Sequence, residues 1–229
     1  MIVSKQSYVP TNVNVAPQVA ALRASGAQVV VSFSIPAFTA LLKLNSLKLG
    51  FSPTLLVTNV GSDPTTLSGL LESFAKQGGA TVNGNALTNG IITDEFFPAP
   101  GDTSNSWIAL FTKVRNQYDA KAPLDYTAMY GMAVAYTFVQ AMFKAGRNPT
   151  RADLVSAIEG GLPQGPVVAP FAFAADNHAG VTGVYIGVIQ NGVVVRQGKV
   201  LTTDTSASGP VTTYTGTEPQ APATGIPSP

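Results

Sequence analysis

The chain has 229 residues, 45% of them hydrophobic and 11% charged, with a formal net charge of +1 and no cysteine. That apolar content is enough for a substantial core in one large or two small domains, and the near-neutral balance excludes the basic field that holds nucleic acid. Without cysteine there are no disulfides, thiolate metal sites or thiol catalysis.

Met1 to Gln6 do not form a basic segment followed by the apolar core of a signal sequence, and no apolar run reaches the length of a membrane span. The first periodic element is a short helix, Ala16 to Ser25, with Val19 and Leu22 on one face and Gly26 as its stop. Gln28 to Phe33 then reads as a strand whose nearly continuous apolar run predicts burial on both faces of a parallel sheet. The unit repeats: helix Ala37 to Leu47, strand Thr54 to Thr58, helix Thr65 to Lys76 ending at Gly78-Gly79, strand Ile91 to Phe97. Such a succession predicts an α/β fold, a doubly wound parallel sheet with right-handed crossovers.

Phe97-Pro98-Ala99-Pro100 is an extended crossing segment, after which three helices follow without intervening strands. Ser104 to Tyr118 carries Trp107, Leu110, Phe111 and Val114 at helical spacing, and Tyr126 to Ala145 is apolar around most of its circumference, which predicts a helix enclosed on several sides. Arg151 to Glu159 has Thr150 as N-cap and Asp153 three residues on, a capping-box arrangement. Phe171 to Phe173 and Val184 to Ile189 read as strands, and Asn191-Gly192 is a hairpin turn into Val193 to Val195. From Thr202 onward the chain is rich in Thr, Ser, Pro, Gly and Ala, a composition that predicts a disordered tail over 202–229.

In open parallel sheets ligands bind beyond the carboxyl ends of the strands. The turns there are Ser32-Phe33-Ser34-Ile35 and Asn59-Val60-Gly61-Ser62-Asp63, both polar and with Ser or Gly where backbone must come close to a small molecule. The candidate ligand wall is therefore Phe33, Ser34, Ile35, Asn59, Gly61, Ser62 and Asp63. Backbone and hydroxyl groups there suit an amino or carbonyl group, and Phe33 and Ile35 offer apolar contact. The alternative for each turn is a plain helix start, because Ser34 precedes Pro36 and Asp63 precedes Pro64.

Catalysis has little support. The single histidine, His178, sits among turn formers in Asp176-Asn177-His178-Ala179-Gly180, and no Gly-x-Ser-x-Gly elbow is present. No group of His and carboxylates has metal spacing, Asp94 and Glu95 fall on opposite faces of a strand, and Gly78-Gly79 lacks a phosphate-loop pattern. The reading assigns no catalytic residue, metal or cofactor. A hydrolase using Ser and His178 is the least favoured of the alternatives.

Six segments in order, VNVAPQVAALRASGAQVVV, LGFSPTLLVTN, FPAP, DYTAMYGMAVAYTFVQAMFKAG, TRADLVSAIEG and DNHAGVTGVYIGVIQNGVVV, resemble the latter half of the type I periplasmic solute-binding proteins, the branched-chain amino acid receptor group of ABC transporters. The likeness runs from about Tyr8 to Val200. It implies two α/β lobes that close on a small solute, such as an amino acid, and deliver it to an ABC permease outside the cytoplasm. On that resemblance residues 1–98 and 181–201 form the lobe-two layer, and 99–180 are helices and a short strand returning to lobe one. The fold is then incomplete, with lobe-one helices and a carboxy-terminal β-hairpin. The family's first lobe, with the donors for a ligand carboxylate, would be missing at the amino-terminal side, as would the first strand and helix of lobe two. A missing amino-terminal lobe is thus one implied partner, and self-association through exposed lobe-one helices is another. The family uses a carboxylate on lobe two to hold a ligand ammonium, and Asp63 is the one close in sequence to the turns. The alternative outside transport is a residual interaction or sensor module, or a gene remnant without binding function.

Overall fold

The computed structural model describes residues 1–203 and 209–228. Its contacts divide the chain into two units, Met1–Asp94 with Ile186–Arg196, and Glu95–Tyr185 with Gln197–Pro229.

In the first unit, helix α1 (Ala16–Ala24) opens with proline in its first turn, buries Val19 and stops at Gly26, whose φ of 71° suits a residue without a side chain. Strand β1 (Val29–Ser32), helix α2 (Pro36–Lys48), strand β2 (Thr54–Val57), a 3-10 turn (Asn59–Gly61), helix α3 (Pro64–Gln77), the short helix α4 (Gly84–Thr88) and strand β3 (Ile92–Glu95) follow. β1 and β2 run parallel, with Val29 opposite Thr54 and Ser32 opposite Val57, and β2 runs parallel to β3, with Val57 opposite Thr93. β4 (Gly183–Gln190) lies beside β3, fixed by Gly90 N–H to the Ile189 carbonyl and Ile189 N–H to the Ile91 carbonyl, both 2.9 Å. Asn191-Gly192, both at positive φ, then turn the chain into β5 (Val193–Thr202). The sheet is open and mixed. Helices α1 to α4 pack side by side in chain order along it, and the Leu67, Leu71 and Ala75 stripe of α3 is buried at helical spacing.

β1 departs from the expected two-sided burial. Val30 is buried, but Val29 and Val31 are 55% and 54% exposed, because successive side chains point to opposite faces of the strand and the face that carries Val29 and Val31 is left open.

In the second unit, helices α5 (Ser106–Tyr118) and α6 (Tyr126–Ala145) build one aromatic core, and α7 (Arg151–Glu159) packs on α6. Trp107, Ile108, Phe111, Met129, Ala133, Tyr136 and Val167 are buried together with Phe97. The Trp107 and Tyr136 rings meet edge to face at 4.9 Å between centroids. Asn105 and Asp125 cap α5 and α6 through their side chains, and α7 has the full capping box that its sequence spells, Thr150 and Asp153 bonding reciprocally. Those bonds hold the Asp153 carboxyl below its ordinary value.

Three expectations change here. Phe171 to Phe173 do not form a strand; the two rings tilt together at 5.2 Å while Ala172 N–H bonds the Gly180 carbonyl and Ala174 bridges to Asn177. A Cβ on Gly180 would fall 2.2 Å from the Phe173 ring, so side-chain packing rather than a ladder shapes this segment. α6 is enclosed on one side only: Met129, Ala133 and Tyr136 are buried, whereas Tyr130, Val134, Phe138, Val139 and Phe143 are 40 to 57% exposed. No charged residue lies between Tyr126 and Phe143. The segment expected to be a structureless tail instead supplies β6 (Thr212–Thr213), which pairs antiparallel with β5, Leu201 opposite Thr213. Further along, its Pro219 carbonyl accepts a hydrogen bond from the indole of Trp107 at 3.0 Å. Residues 204–208 and 229, also part of that expectation, lie outside the described residues.

Candidate functional site

The two turns singled out by sequence meet in the first unit. β1 and β2 are adjacent and parallel, so both carry their following turns to the same end of the sheet. Contact between the turns is backbone to backbone: a Cβ on Gly61 would lie 2.1 Å from the Ser34 carbonyl oxygen and 2.8 Å from Thr39 Oγ1. Glycine is required at position 61 by this approach.

Behind the surface lies a chain of hydroxyls. Ser34 Oγ bonds Ser32 Oγ at 2.8 Å and Thr39 Oγ1 at 2.7 Å. Ser34 therefore ties its turn to the first helical turn of α2 instead of capping it; the N-cap residue is Ile35, with no side-chain bond. Ser62 Oγ bonds Thr93 Oγ1 at 2.7 Å and donates to the Asn59 carbonyl at 3.3 Å, linking the second turn to β3. Asp63 is 4% exposed and accepts from Thr66 N–H at 2.7 Å, the N-cap geometry of α3. Ser34, Gly61, Ser62 and Asp63 are all buried.

The residues that face outward are different. Phe33 is 78% exposed, Ile35 48% and Val60 62%, with Asn59 half-buried beside them. Asn59 N–H donates to Asp94 Oδ1 at 3.2 Å, which brings a half-buried carboxylate from the end of β3 to the second turn. Tyr8 stacks on Phe38 at 4.3 Å between centroids and its hydroxyl reaches the Phe33 carbonyl at 3.4 Å, so the segment before α1 braces the first turn. Sequence reasoning missed Val60, Asp94 and Tyr8. Asp94 had a legible signal, since alternation along β3 separates it from the buried Glu95; Tyr8 had none, its partner lying 25 residues away.

The arrangement exposes apolar side chains on both turns and bonds a carboxylate to the second, with its hydroxyls spent on holding the turns in place. A separate cavity of about 60 Å³ lies between α2 and the start of β2, lined by Lys43, Ser46, Leu47 and Phe51 among others. It is too small for a solute of amino-acid size, and burial holds the Lys43 ammonium below the usual lysine value. His178, in the second unit, pairs with Glu159 at 2.9 Å on the surface. Among the described residues no group of three or more His, Asp or Glu is placed to hold a metal ion, and no helix is long and apolar enough to cross a membrane.

An open α/β sheet with paired turns at the ends of its parallel strands defines a class of small-molecule binding folds. The chain belongs to the periplasmic binding protein family, whose model matches residues 2–193. This family is non-catalytic. No curated protein matches the chain in sequence. Among solved structures, a substrate-binding periplasmic protein from Ralstonia solanacearum superimposes with a TM-score of 0.68 at 24% identity, over 83% of this chain and 51% of that one. A branched chain amino acid ABC transporter protein from Thermus thermophilus with bound valine gives 0.64 at 16% identity, over 87% and 52%. A fatty acid ABC transporter substrate-binding protein from Thermomonospora curvata gives 0.67 at 21% identity, over 86% and 49%. The chain spans about half the length of the structures it matches.

The packing of the turns yields a stability prediction. Gly61→Ala drives a methyl group into the Ser34 carbonyl and is expected to cost about 2 kcal/mol or more, whereas Ser62→Ala, which removes one buried hydroxyl pair, costs about 1 kcal/mol. Urea unfolding followed by circular dichroism checks both. A Gly61→Ala protein as stable as the parent would show that the turns do not meet as described.

Proposed function

We propose that this chain carries one wall of a non-catalytic binding site for a small amphipathic solute of the amino-acid class, in the service of uptake by an ABC permease. The observation that carries the reading is the meeting of the Phe33–Ile35 and Asn59–Asp63 turns, which expose Phe33, Ile35 and Val60 at the strand ends where Asn59 bonds Asp94. In this reading the aliphatic part of the solute lies on Phe33, Ile35 and Val60. Its ammonium goes to Asp94 rather than Asp63, because Asp63 is enclosed at the start of α3 while Asp94 stands at a strand end beside exposed residues. Ser34, Gly61, Ser62 and Asp63 shape the wall from behind. The valine-bound relative from Thermus thermophilus supports the amino-acid class; the fatty acid protein marks the competing apolar alternative.

One wall leaves most of a solute in water, so affinity is weak until an opposing lobe closes on it. Calorimetric titration with valine, leucine, isovalerate and octanoate tests the assignment. Valine and leucine are expected to bind in the millimolar range and isovalerate more weakly; Ile35→Asp lowers affinity about tenfold or more. Asp94→Asn weakens the amino acids and leaves isovalerate unchanged. Octanoate binding more tightly than leucine, with no response to Asp94→Asn, would favour the fatty-acid alternative.

The opposing lobe needs a surface on which to dock, and the α6 stripe of Tyr130, Val134 and Phe138, uncharged and one helical turn apart, suits that role. In the absence of such a lobe the same stripe drives self-association. Sedimentation of the isolated chain is expected to show weight-average mass rising with concentration, and Phe138→Lys to suppress the rise. A parent that stays monomeric at high concentration contradicts this use of α6.

A further inference from the structure

The carboxy-terminal segment does more than trail from the sheet. After β6 it returns to α5 and is fixed there through three consecutive residues. Trp107 Nε1–H donates to the Pro219 carbonyl at 3.0 Å. The Ser106 hydroxyl donates to Gln220 Oε1 at 2.9 Å and accepts from Ala221 N–H at 2.8 Å, while Gln220 N–H donates to Gln164 Oε1 at 3.2 Å. Pro219 is the one buried residue between 209 and 228, and Ala221 alone of that stretch packs on the aromatic core. Beyond it, α5 and residues 221–225 line an open surface pocket of about 300 Å³, with Gly225 lying against Leu110.

The attached residues read Pro219-Gln220-Ala221-Pro222, a proline-x-x-proline segment. Such segments hold an extended conformation before they bind, so docking them orders little additional backbone. Their recognition follows a known physical pattern, an aromatic surface under a proline with an indole or hydroxyl donor aimed at a backbone carbonyl. Trp107 supplies the indole donor, aimed at the Pro219 carbonyl, and Ser106 adds bonds to the Gln220 side chain and the Ala221 N–H. Because the attachment is one buried proline and a few hydrogen bonds with an open pocket beside it, it has the character of a seat for a ligand more than that of a core.

We infer that the face of α5 around Trp107 and Ser106 is a recognition groove for an extended proline-x-x-proline segment, filled in this chain by its own residues 219–222 as a releasable latch. The groove would accept the same segment from another molecule once the latch is displaced. This inference is independent of the solute site, since every residue in it belongs to the second unit.

The test uses the full chain with a protease cleavage sequence in place of residues 204–208. Trp107 is the only tryptophan and is fully buried, so its emission and its quenching by acrylamide report directly on the seat. After cleavage, the strap is expected to co-elute with the body on gel filtration. A fluorescently labelled synthetic peptide of residues 209–228, added in excess, should exchange into the body saturably. Ser106→Ala should speed exchange several-fold, and an excess of peptide with Pro219→Asp should not exchange. The inference is overturned if the cleaved strap cannot be exchanged without unfolding the body, which would make it a fixed part of the core. It is equally overturned if the strap leaves on cleavage with no change in Trp107 emission or quenching, which would mean that no seat exists. The cleaved parent decides between these without relying on any variant that fails to fold.

Discussion

The Ser34 carbonyl oxygen occupies the space that a side chain at position 61 would need. On that contact depends the whole arrangement at the strand ends. It lets the turn after β2 lie against the turn after β1, and it orients both so that their polar groups face inward and their apolar side chains outward. The hydroxyl bonds of Ser34 to Thr39 and Ser62 to Thr93 then lock each turn to a neighbouring element, α2 in one case and β3 in the other. Buried hydroxyl pairs of this kind hold geometry because leaving either partner unbonded costs more than the bond itself contributes. A preformed wall follows, and a preformed wall requires little ordering when a solute arrives.

Much of the fold was legible because it depends on local rules. α6 and α7 run over the residues that periodicity and capping assign to them, and Gly26, Asp63, Thr150 and Asn191-Gly192 terminate or turn the chain by the chemistry expected of those residues. What was not legible depends on partners distant in sequence. Val29, Val30 and Val31 read as one buried run, and only the covering of a single face separates the buried Val30 from its exposed neighbours on the other. Phe171 to Phe173 have strand composition, yet the ring contacts with each other and with Gly165 and Gly180 claim them first. The carboxy-terminal segment has a disordered composition and is nonetheless anchored, because one indole N–H more than a hundred residues away needs an acceptor.

The candidate site shows the same division. Sequence located both turns, at the carboxyl ends of parallel strands, but it could not sort their residues into those with protein partners and those that face outward. Polar residues at a turn look like ligand groups until their partners are known. Here Ser34, Ser62 and Asp63 have protein partners, and the outward positions go to Phe33, Ile35 and Val60, with Asp94 arriving from a third strand. The exposed apolar residues at the turns and along α6 are therefore the informative surface, more so than the hydroxyls that first attract notice.

The most direct measurement is a map of backbone amide shifts in the isotopically labelled chain as valine is added. The account places the perturbed amides at Phe33, Ile35, Asn59, Val60 and Asp94, moving together along one saturable curve, with α5 to α7 unaffected. Shifts concentrated around Lys43 and Phe51, or in the second unit, with the strand-end turns unmoved, would contradict it.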